Sequence, residues 1–150
     1  MDDGMGAGAE AVQLIHRPDV GRALSSPAAA EFVLRADRVA PRSARVALRR
    51  LALGSVAHRL LDVLLCVGEA ISNAVRHAYP PGSSGEIVVK AWTHEDGLAV
   101  LVQDRGRGFD PDGDPSREGV GLRLMRRLAD VVSILSRPGG GTAVLMVFRA

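Results

Sequence analysis

The stretch LLDVLLCVGEAISNAVRHAY, from Leu60 to Tyr79, predicts one long amphipathic helix around which the chain is organised. At 100° per residue, its apolar stripe consists of Leu60, Leu64, Val67 and Ile71. Glu69 lies on the opposite side, with Asn73 one turn further along and Arg76 beside them. A proton-accepting carboxylate and an amide oxygen that suits Mg²⁺ therefore project from one face. The same pair is common on solvated helix faces, so a purely structural role stays open at this point.

The composition indicates a single ordinary globular domain. The 150 residues are 47% hydrophobic and 24% charged, which supplies a core and argues against wholesale disorder. The net charge is only +2, the arginines are dispersed, and aromatic residues make up 3% of the chain. Surfaces that stack on bases need aromatic side chains, so we expect no direct nucleic-acid partner.

The lone cysteine and the N-terminal residues exclude several further classes of protein. Cys66 cannot form an intrachain disulfide or a cysteine-rich metal site, and it suits a small buried residue better than a thiol beside the site. The N-terminus is acidic where a signal peptide is basic. No apolar run approaches the ~20 residues that span a bilayer. We therefore expect a cytoplasmic protein without membrane contact.

The order of elements predicts the domain organisation and the fold class. Residues 1–29 are rich in Gly, Ala, Ser and Pro, so we expect a poorly ordered tail that leaves room for a short structured piece around Val12–His16. Residues 30–150 read as one domain of strands and helices in separate runs: Phe32–Ala36, Arg42–Leu53 (between Pro41 and Gly54), the central helix up to Pro80, Glu86–His94, Leu98–Gln103, about Gly119 to Asp130, Val131–Ser136 and Thr142–Phe148. This predicts an α+β fold, a two-layer sandwich with helices on one face of a mixed, mostly antiparallel sheet.

Two glycine-containing motifs follow the central helix. Asp104 ends a predicted strand and is followed by Gly106 and Gly108. A carboxylate there can accept a hydrogen bond from an amine, and the glycines let a planar ring approach the backbone. Gly119 and Gly121 open a helix, where bare amides and the helix dipole favour phosphate. Each motif alone also fits a surface turn or a flexible loop end.

Several common sites are excluded by spacing. The dinucleotide fingerprint needs a third glycine where the chain has Pro111, and no Gly-Lys-Ser/Thr run occurs for a P-loop. The four histidines show no metal-ligand spacing, and no serine nucleophile elbow is present. The site must therefore be judged from the order of the remaining motifs.

That order is Glu-x-x-x-Asn on a long helix, Asp-x-Gly-x-Gly-Phe after a hairpin strand, Gly-x-Gly opening a helix, and Gly-Gly-Thr opening the last strand. It resembles the nucleotide-binding domain shared by histidine kinases, type II topoisomerases, heat-shock chaperone ATPases and mismatch-repair ATPases. Within that superfamily the chain looks most like the bacterial anti-sigma-factor serine/threonine kinases. The resemblance covers roughly residues 30 to 150 and rests on EAISNAVRHAY, DRGRGFDP, EGVGLRLMRRLAD, the opening APRSARVALRRL, and a small size without a phospho-accepting histidine module.

The resemblance implies a role for each motif residue in binding ATP and Mg²⁺. Glu69 would orient or deprotonate the attacking hydroxyl, and Asn73 would hold Mg²⁺ against the phosphates. Asp104 would receive the adenine amino group. The supporting residues would give the adenine ring room (Gly106 and Gly108), line the triphosphate (Gly119 and Gly121) and support the adenine end (Thr142).

The loop from Arg105 to Glu118 would be the lid over the nucleotide, and it departs from the family pattern. It is short, and it carries three aspartates that are unusual beside a polyphosphate: Asp110, Asp112 and Asp114. Three arginines are candidates to compensate, and the sequence leaves open which one meets phosphate: Arg105, Arg107 and Arg117. ATP binding is therefore better supported by the sequence than efficient phosphotransfer.

The function that the resemblance implies is an ATP- and Mg²⁺-dependent protein serine/threonine kinase that also sequesters a sigma factor. Its substrate would be an anti-anti-sigma antagonist, and it would work as a homodimer. Two alternatives stay open: an ATP-binding switch without phosphotransfer, and a detached histidine-kinase catalytic domain. A basic stripe on the first helix, Arg42, Arg45 and Arg49, is either a solvated face or a docking surface for an acidic partner.

Overall fold

The computed structural model describes residues 26–80, 82–83, 85–107, 119–137 and 139–150. Its elements follow the chain in this order: β1 (Ala30–Arg35), α1 (Ala40–Val56), a 3₁₀ turn (Ala57–Arg59), α2 (Leu60–Asn73), a π-helix (Ala74–Ala78), β2 (Glu86–His94), β3 (Gly97–Asp104), α3 (Val120–Leu128), β4 (Val131–Ser136) and β5 (Thr142–Arg149). The predicted α+β class is confirmed, with every predicted helix and strand present among the described residues.

The strands form one sheet in the order β1-β2-β3-β5-β4. All four neighbouring pairs are antiparallel, so the parallel component expected of a mixed sheet does not occur among the described strands. The reason is the connections: two pairs are hairpins, and the helical segment between β1 and β2 returns the chain in the opposite direction. Gln103 pairs with Ala143, which places the end of β3 beside the start of β5.

The helices cover one face of this sheet. The residues that α1 buries lie four apart along the helix: Ala40, Ala44, Leu48, Ala52 and Val56. Helix α2 buries a wider arc, because it is packed by α1, α3 and the sheet together: Val63, Cys66, Val67, Gly68, Ala70 and Ile71. Leu60 and Leu64, placed in the apolar stripe, and Leu51 on α1 are only half-buried. The core lies between α1, α2 and the helix side of the sheet.

The limits of α1 differ from the prediction at both ends. Asp37 accepts hydrogen bonds from the amides of Val39 (2.9 Å) and Ala40 (3.1 Å), so the helix begins at Ala40, before Pro41. Gly54 does not end the helix, which continues to Val56 because that residue adds one more buried contact on the core side. A glycine inside a helix costs about 1 kcal/mol, which this burial offsets.

The helical stretch from Ala40 to Ala78 is long and apolar enough to cross a membrane by length and composition alone. The core helices of soluble proteins pass the same test. Leu48, Val63 and Ile71 of this stretch are fully buried in the core between the helices and the sheet. Other large apolar residues of the stretch are exposed: Val46, Leu53, Leu61 and Leu65.

Arg59, in the 3₁₀ turn, fixes the start of α2 to the far end of the sheet. Its guanidinium donates to the carboxylates of Asp62 (3.0 Å) and Asp130 (2.8 Å), and to the carbonyls of Leu128 and Arg149. The hydrogen bond to Asp130, with that to Asp62, raises the pKa of Arg59. Burial acts to raise the pKa of Asp130, but hydrogen bonds from the Arg149 amide and Arg59 outweigh it and hold that pKa below its ordinary value.

Candidate functional site

The C-terminal half of α2 faces the start of α3. A Cβ at Gly121 would collide with the Oε2 atom of Glu69, so the Glu69 carboxylate lies directly against that glycine. Gly119 is the N-cap residue of α3, and a Cβ built there would meet open space. The carboxylate predicted for chemistry and the predicted phosphate-binding helix start are therefore brought together. A side chain at position 121 would displace the Glu69 carboxylate.

Asn73 is the last residue of α2. Its amide oxygen accepts a hydrogen bond from the exposed guanidinium of Arg76, 3.1 Å away. A guanidinium at this position suits phosphate oxygens, because it donates in a fixed fork. The sequence alone places Arg76 beside Glu69 and Asn73 and does not indicate this contact.

The described residues offer no preformed metal site. Within the described ranges no group of three or more His, Cys, Asp or Glu side chains could hold one. Mg²⁺ is usually bound by one or two protein oxygens, with waters and substrate phosphates completing its shell. The amide oxygen of Asn73 is one oxygen ligand of the type that such a Mg²⁺ ion takes, and alone it does not form a permanent metal site.

Asp104 ends β3 as a buried carboxylate, 7% exposed. Its Oδ1 atom accepts from the amides of Gly106 (2.9 Å) and Thr142 (3.2 Å). No residue in the described part of the chain donates to its second oxygen. One oxygen of the Asp104 carboxylate is thus held by two backbone amides of the fold. Thr142 meets Asp104 through its backbone amide.

The π-helix brings the end of the central helical segment against the Asp104 turn. A Cβ at Gly106 would collide with the carbonyl of Ala78, and that carbonyl accepts from the Arg107 amide at 2.9 Å. The structure therefore gives Gly106 a reason to be glycine that the sequence did not reveal, namely close backbone approach. A π-helix turn is wider than an α-turn and often occurs at functional sites.

Tyr79 fastens this junction and was missed as a site residue. Its hydroxyl donates to the carbonyl of Glu86 (2.6 Å) and accepts from the amide of Arg105 (2.9 Å). The ring covers Gly85, where a Cβ would collide with it. The available signal was an aromatic residue immediately before the prolines that end the helix.

The turn between β4 and β5 packs against Asp104. Gly139, Gly140 and Gly141 have φ values of 83°, 108° and 102°, which L side chains rarely adopt. A Cβ at Gly141 would also collide with the carbonyl of Asp104. That carbonyl accepts from Arg137 at 3.1 Å, a second contact that the sequence did not predict. The glycine turn thereby sets the Thr142 amide on Asp104.

Part of the predicted site lies outside the described residues. The structure does not describe Gly108 or residues 109–118 of the predicted lid, which include Asp110, Asp112, Asp114 and Arg117. Arg105 and Arg107, at the start of that loop, are exposed. Cys66 is fully buried on α2, and burial raises the pKa of its thiol to about 12. The interpretation of Cys66 as a small buried residue is confirmed.

Comparison with known proteins places this geometry in a family. Residues 29–148 match the histidine kinase-like ATPase domain. The chain belongs to this family. In this ATPase domain, Glu69 and Asn73 lie on the long helix, Asp104 at the strand end, and Gly119 and Gly121 at the next helix start, in the order that the sequence suggested.

The names of similar proteins agree with the resemblance to anti-sigma-factor serine/threonine kinases. This chain is 35% identical over 116 residues to the serine-protein kinase RsbW of Bacillus velezensis. The alignment covers 63% of this chain and 72% of that protein. This chain is 27% identical over 127 residues to the anti-sigma F factor of Clostridium beijerinckii, covering 77% and 89%.

A solved structure also aligns with the ATPase domain. The crystal structure of the RsbU and RsbW domains of a Mycobacterium tuberculosis protein superposes with a TM-score of 0.61 at 26% identity. The alignment covers 83% of this chain and 32% of that longer one, so the likeness extends to about a third of the solved chain. The predicted family is confirmed by these matches.

Proposed function

We propose that this chain is an ATP-dependent protein serine/threonine kinase that also acts as an anti-sigma factor. Its relatives include proteins named serine-protein kinase and anti-sigma F factor, and the chain belongs to an ATPase family. The accepting protein would be an anti-anti-sigma antagonist with a Ser or Thr hydroxyl, and the sequestered partner would be a sigma factor. The protein would act in the cytoplasm, without contact with nucleic acid or membrane.

One observation carries the proposal: a single helical segment holds both ends of the site. Glu69 on α2 lies against Gly121 at the start of α3, and Ala78 at the end of the π-helix lies against Gly106 in the Asp104 turn. A nucleotide that placed its adenine at Asp104 and its phosphates at α3 would therefore run along this segment. The spacing of the two ends is fixed by one continuous helical backbone.

In the proposed reaction the hydroxyl oxygen of the substrate attacks the γ-phosphorus of ATP. The bond from that phosphorus to the bridging oxygen breaks, ADP leaves, and Glu69 accepts the hydroxyl proton. Phosphoryl transfer is catalysed mainly by positioning and charge stabilisation. Amides at the start of α3, near Gly119 and Gly121, would donate to phosphate oxygens, with the helix dipole adding favourable charge.

Charge compensation would come from a metal and from arginine. Asn73 would ligate Mg²⁺, which supplies positive charge to the phosphates when it is bound. Arg76 already contacts the Asn73 amide oxygen, so a small movement would bring its guanidinium to the same phosphates. Asp104 would accept from the adenine amino group through its second oxygen. Thr142 and Gly108 would complete the adenine end.

For partner docking, the basic stripe on α1 is the surface that we propose. Arg42, Arg45 and Arg49 are all exposed, as predicted. Arg45 lies across Gly68 of α2, where a Cβ would come within 2.6 Å of its guanidinium. Arg42 and Arg49 have no such second role in the described structure. An acidic segment of the sigma factor would form ion pairs with these arginines. We also propose that the functional unit is a homodimer.

The test is phosphotransfer to a candidate antagonist with purified protein and labelled ATP. Glu69→Gln should reduce transfer about 10²–10⁴-fold while ATP still binds, because a general base contributes that much. Glu86→Gln, an exposed carboxylate on β2, is the matched control and should transfer at the wild-type rate. Acid-stable phosphate on Ser or Thr supports the proposal. Acid-labile phosphate would indicate a histidine kinase domain, and ATP binding without any transfer would indicate a switch.

A further inference from the structure

Arg59 lies where the start of α2, the end of α3 and the end of β5 meet. Its guanidinium donates to the carbonyl of Leu128, the last residue of α3, and to that of Arg149, the last residue of β5. It also donates at 2.8 Å to the carboxylate of Asp130, just beyond α3. One side chain therefore joins three elements, whereas its bond to Asp62, at 3.0 Å, stays within its own helical segment.

Asp130 is a fixed attachment point for this guanidinium. Its backbone amide donates to the carbonyl of Val147 at 2.8 Å, and its carboxylate accepts from the amide of Arg149 at 2.7 Å, so it is bonded to β5 at two places. The guanidinium carbon of Arg59 also lies 5.8 Å from the centre of the Phe148 ring, within the range of a cation–π contact. Several charge-assisted hydrogen bonds from one planar fork fix its direction as well as its position.

The core holds α3 at few points. Of its nine residues, all within the described part of the chain, Met125 is the only buried one, and Leu122 and Leu128 are half-buried. Met125 lies between the two ends of the helix, four positions after Gly121 and three before Leu128. A short helix that is gripped mainly near its middle can pivot there. A shift of its last residue then moves its first turn in the opposite direction.

Helices α2 and α3 are joined near both ends. Arg59 bonds Leu128 at one end, and Glu69 lies against Gly121 at the other. Glu69 follows Arg59 by ten positions, about 15 Å of helix, and Leu128 follows Gly121 by seven, about 10 Å. The helices therefore run in opposite directions, and contacts at two such separated points determine how far α3 can slide or tilt against α2.

We propose that Arg59 is a positioning residue for the phosphate end of the nucleotide site. By tying the start of α2 to the end of α3, it sets the place of the first turn of α3 relative to Glu69. This role rests on the proposed function, in which amides near Gly121 donate to phosphate. Asp104, at the adenine end, is held by backbone amides outside α2 and α3, so loss of the Arg59 contacts should weaken phosphate binding and spare the adenine end.

The measurement that separates the two ends of the site is the ratio of the dissociation constant for adenosine to that for ATP, obtained by calorimetric titration. Adenosine meets only the adenine end, so this ratio reports the contribution of the phosphates. We expect Arg59→Gln and Asp130→Asn each to lower the ratio about 2- to 30-fold, the range over which residues remote from a ligand change coupling. The double variant should lower it no further than Arg59→Gln alone, because both substitutions break the same link.

Asp62→Asn is the matched control. It makes the same change of carboxylate to amide beside the same guanidinium, at 3.0 Å where Asp130 lies at 2.8 Å, but its bond does not leave the α2 segment. The ratio should stay within about twofold of the wild-type value, as expected of an independent change. Thermal unfolding compares the stability of the Asp62 and Asp130 variants. A loss of stability that both share cannot account for a ratio that falls in only one of them.

An unchanged ratio in folded Arg59→Gln or Asp130→Asn protein would overturn the positioning role, and so would an equal fall in Asp62→Asn. A wild-type protein that binds adenosine as tightly as ATP would refute the phosphate site of the proposed function itself, and with it this role of Arg59, so the two failures are distinguishable. If Arg59→Gln does not fold, Asp130→Asn and Asp62→Asn decide the matter, since each alters one acceptor and keeps the guanidinium.

Discussion

Asp104→Asn tests the adenine end of the site without removing the contacts that hold it. The carboxylate uses Oδ1 for the amides of Gly106 and Thr142, and leaves its second oxygen for a ligand. Asparagine can keep an oxygen toward the two amides, but then presents an NH₂ group where the adenine amine would donate. Loss of a hydrogen bond to a charged group costs about 1.5–3 kcal/mol. The dissociation constant for ATP should therefore rise about 10- to 150-fold.

The same substitution should leave the fold nearly intact, which separates binding from stability. Asp104→Ala is the contrasting variant, because it would leave the amides of Gly106 and Thr142 without their acceptor. Each buried unpaired group costs about 1–3 kcal/mol, so this variant should unfold at a clearly lower temperature. Thermal unfolding of both variants by circular dichroism measures that difference.

The decisive assay is calorimetric titration with two nucleotides, ATP and purine riboside triphosphate. The second lacks the exocyclic amine, so wild-type protein should bind it more weakly than ATP. The penalty of Asp104→Asn should be large for ATP and should nearly vanish for the analogue. An equal loss of affinity for both nucleotides would show that Asp104 acts on the fold of the site, and unchanged ATP affinity would refute the adenine assignment outright.

Three further predictions concern the metal, the acid stability and the docking surface. Asn73→Ala should weaken ATP binding in the presence of Mg²⁺ and have little effect in EDTA; an equal effect in both would exclude a metal ligand. Asp130→Asn should lower the free energy of unfolding by about 1–2 kcal/mol at pH 7, because it removes a carboxylate that accepts from Arg59. Since the pKa of Asp130 is lowered in the fold, this deficit should shrink as the pH falls below about 4, and urea titrations at pH 7 and pH 3 would check it. Reversal of Arg42 and Arg49 to Glu should weaken sigma-factor binding and flatten its salt dependence while ATP affinity is kept; wild-type binding by this pair would leave the stripe as solvated surface.

The elements were predictable where local chemistry decides them. Pro80 follows the helical segment that ends at Ala78, and β2 runs from Glu86 to His94 as the strand propensities indicated. The predicted end of α1 at Gly54 is wrong because the helix continues to bury Val56 in the core. Burial against a distant sheet is a tertiary effect that a local pattern does not contain.

The site was predictable as a set of residue types and much less so as a set of contacts. The sequence indicated Glu69, Asn73 and Asp104, because their order matches a family. It did not reveal that Gly106 is needed for close approach to Ala78, or that Tyr79 bonds two separate backbone segments. Those contacts join residues far apart in sequence, and only the packed helix and sheet bring them into range.

The strand order also has a consequence for how the molecule assembles. The β2–β3 and β4–β5 hairpins need only short loops to close, whereas β1 meets β2 only after both long helices have intervened. Closing a longer loop costs more chain entropy, so β1 should join the sheet late in folding and leave it first. It lies at the edge of the sheet, whereas Asp104 lies on β3 and Glu69 on α2. Slow hydrogen exchange in β3 and β5, with faster exchange in β1, would mean that the protein can fray at its N-terminal edge while the strands and helix that carry Asp104 and Glu69 stay assembled.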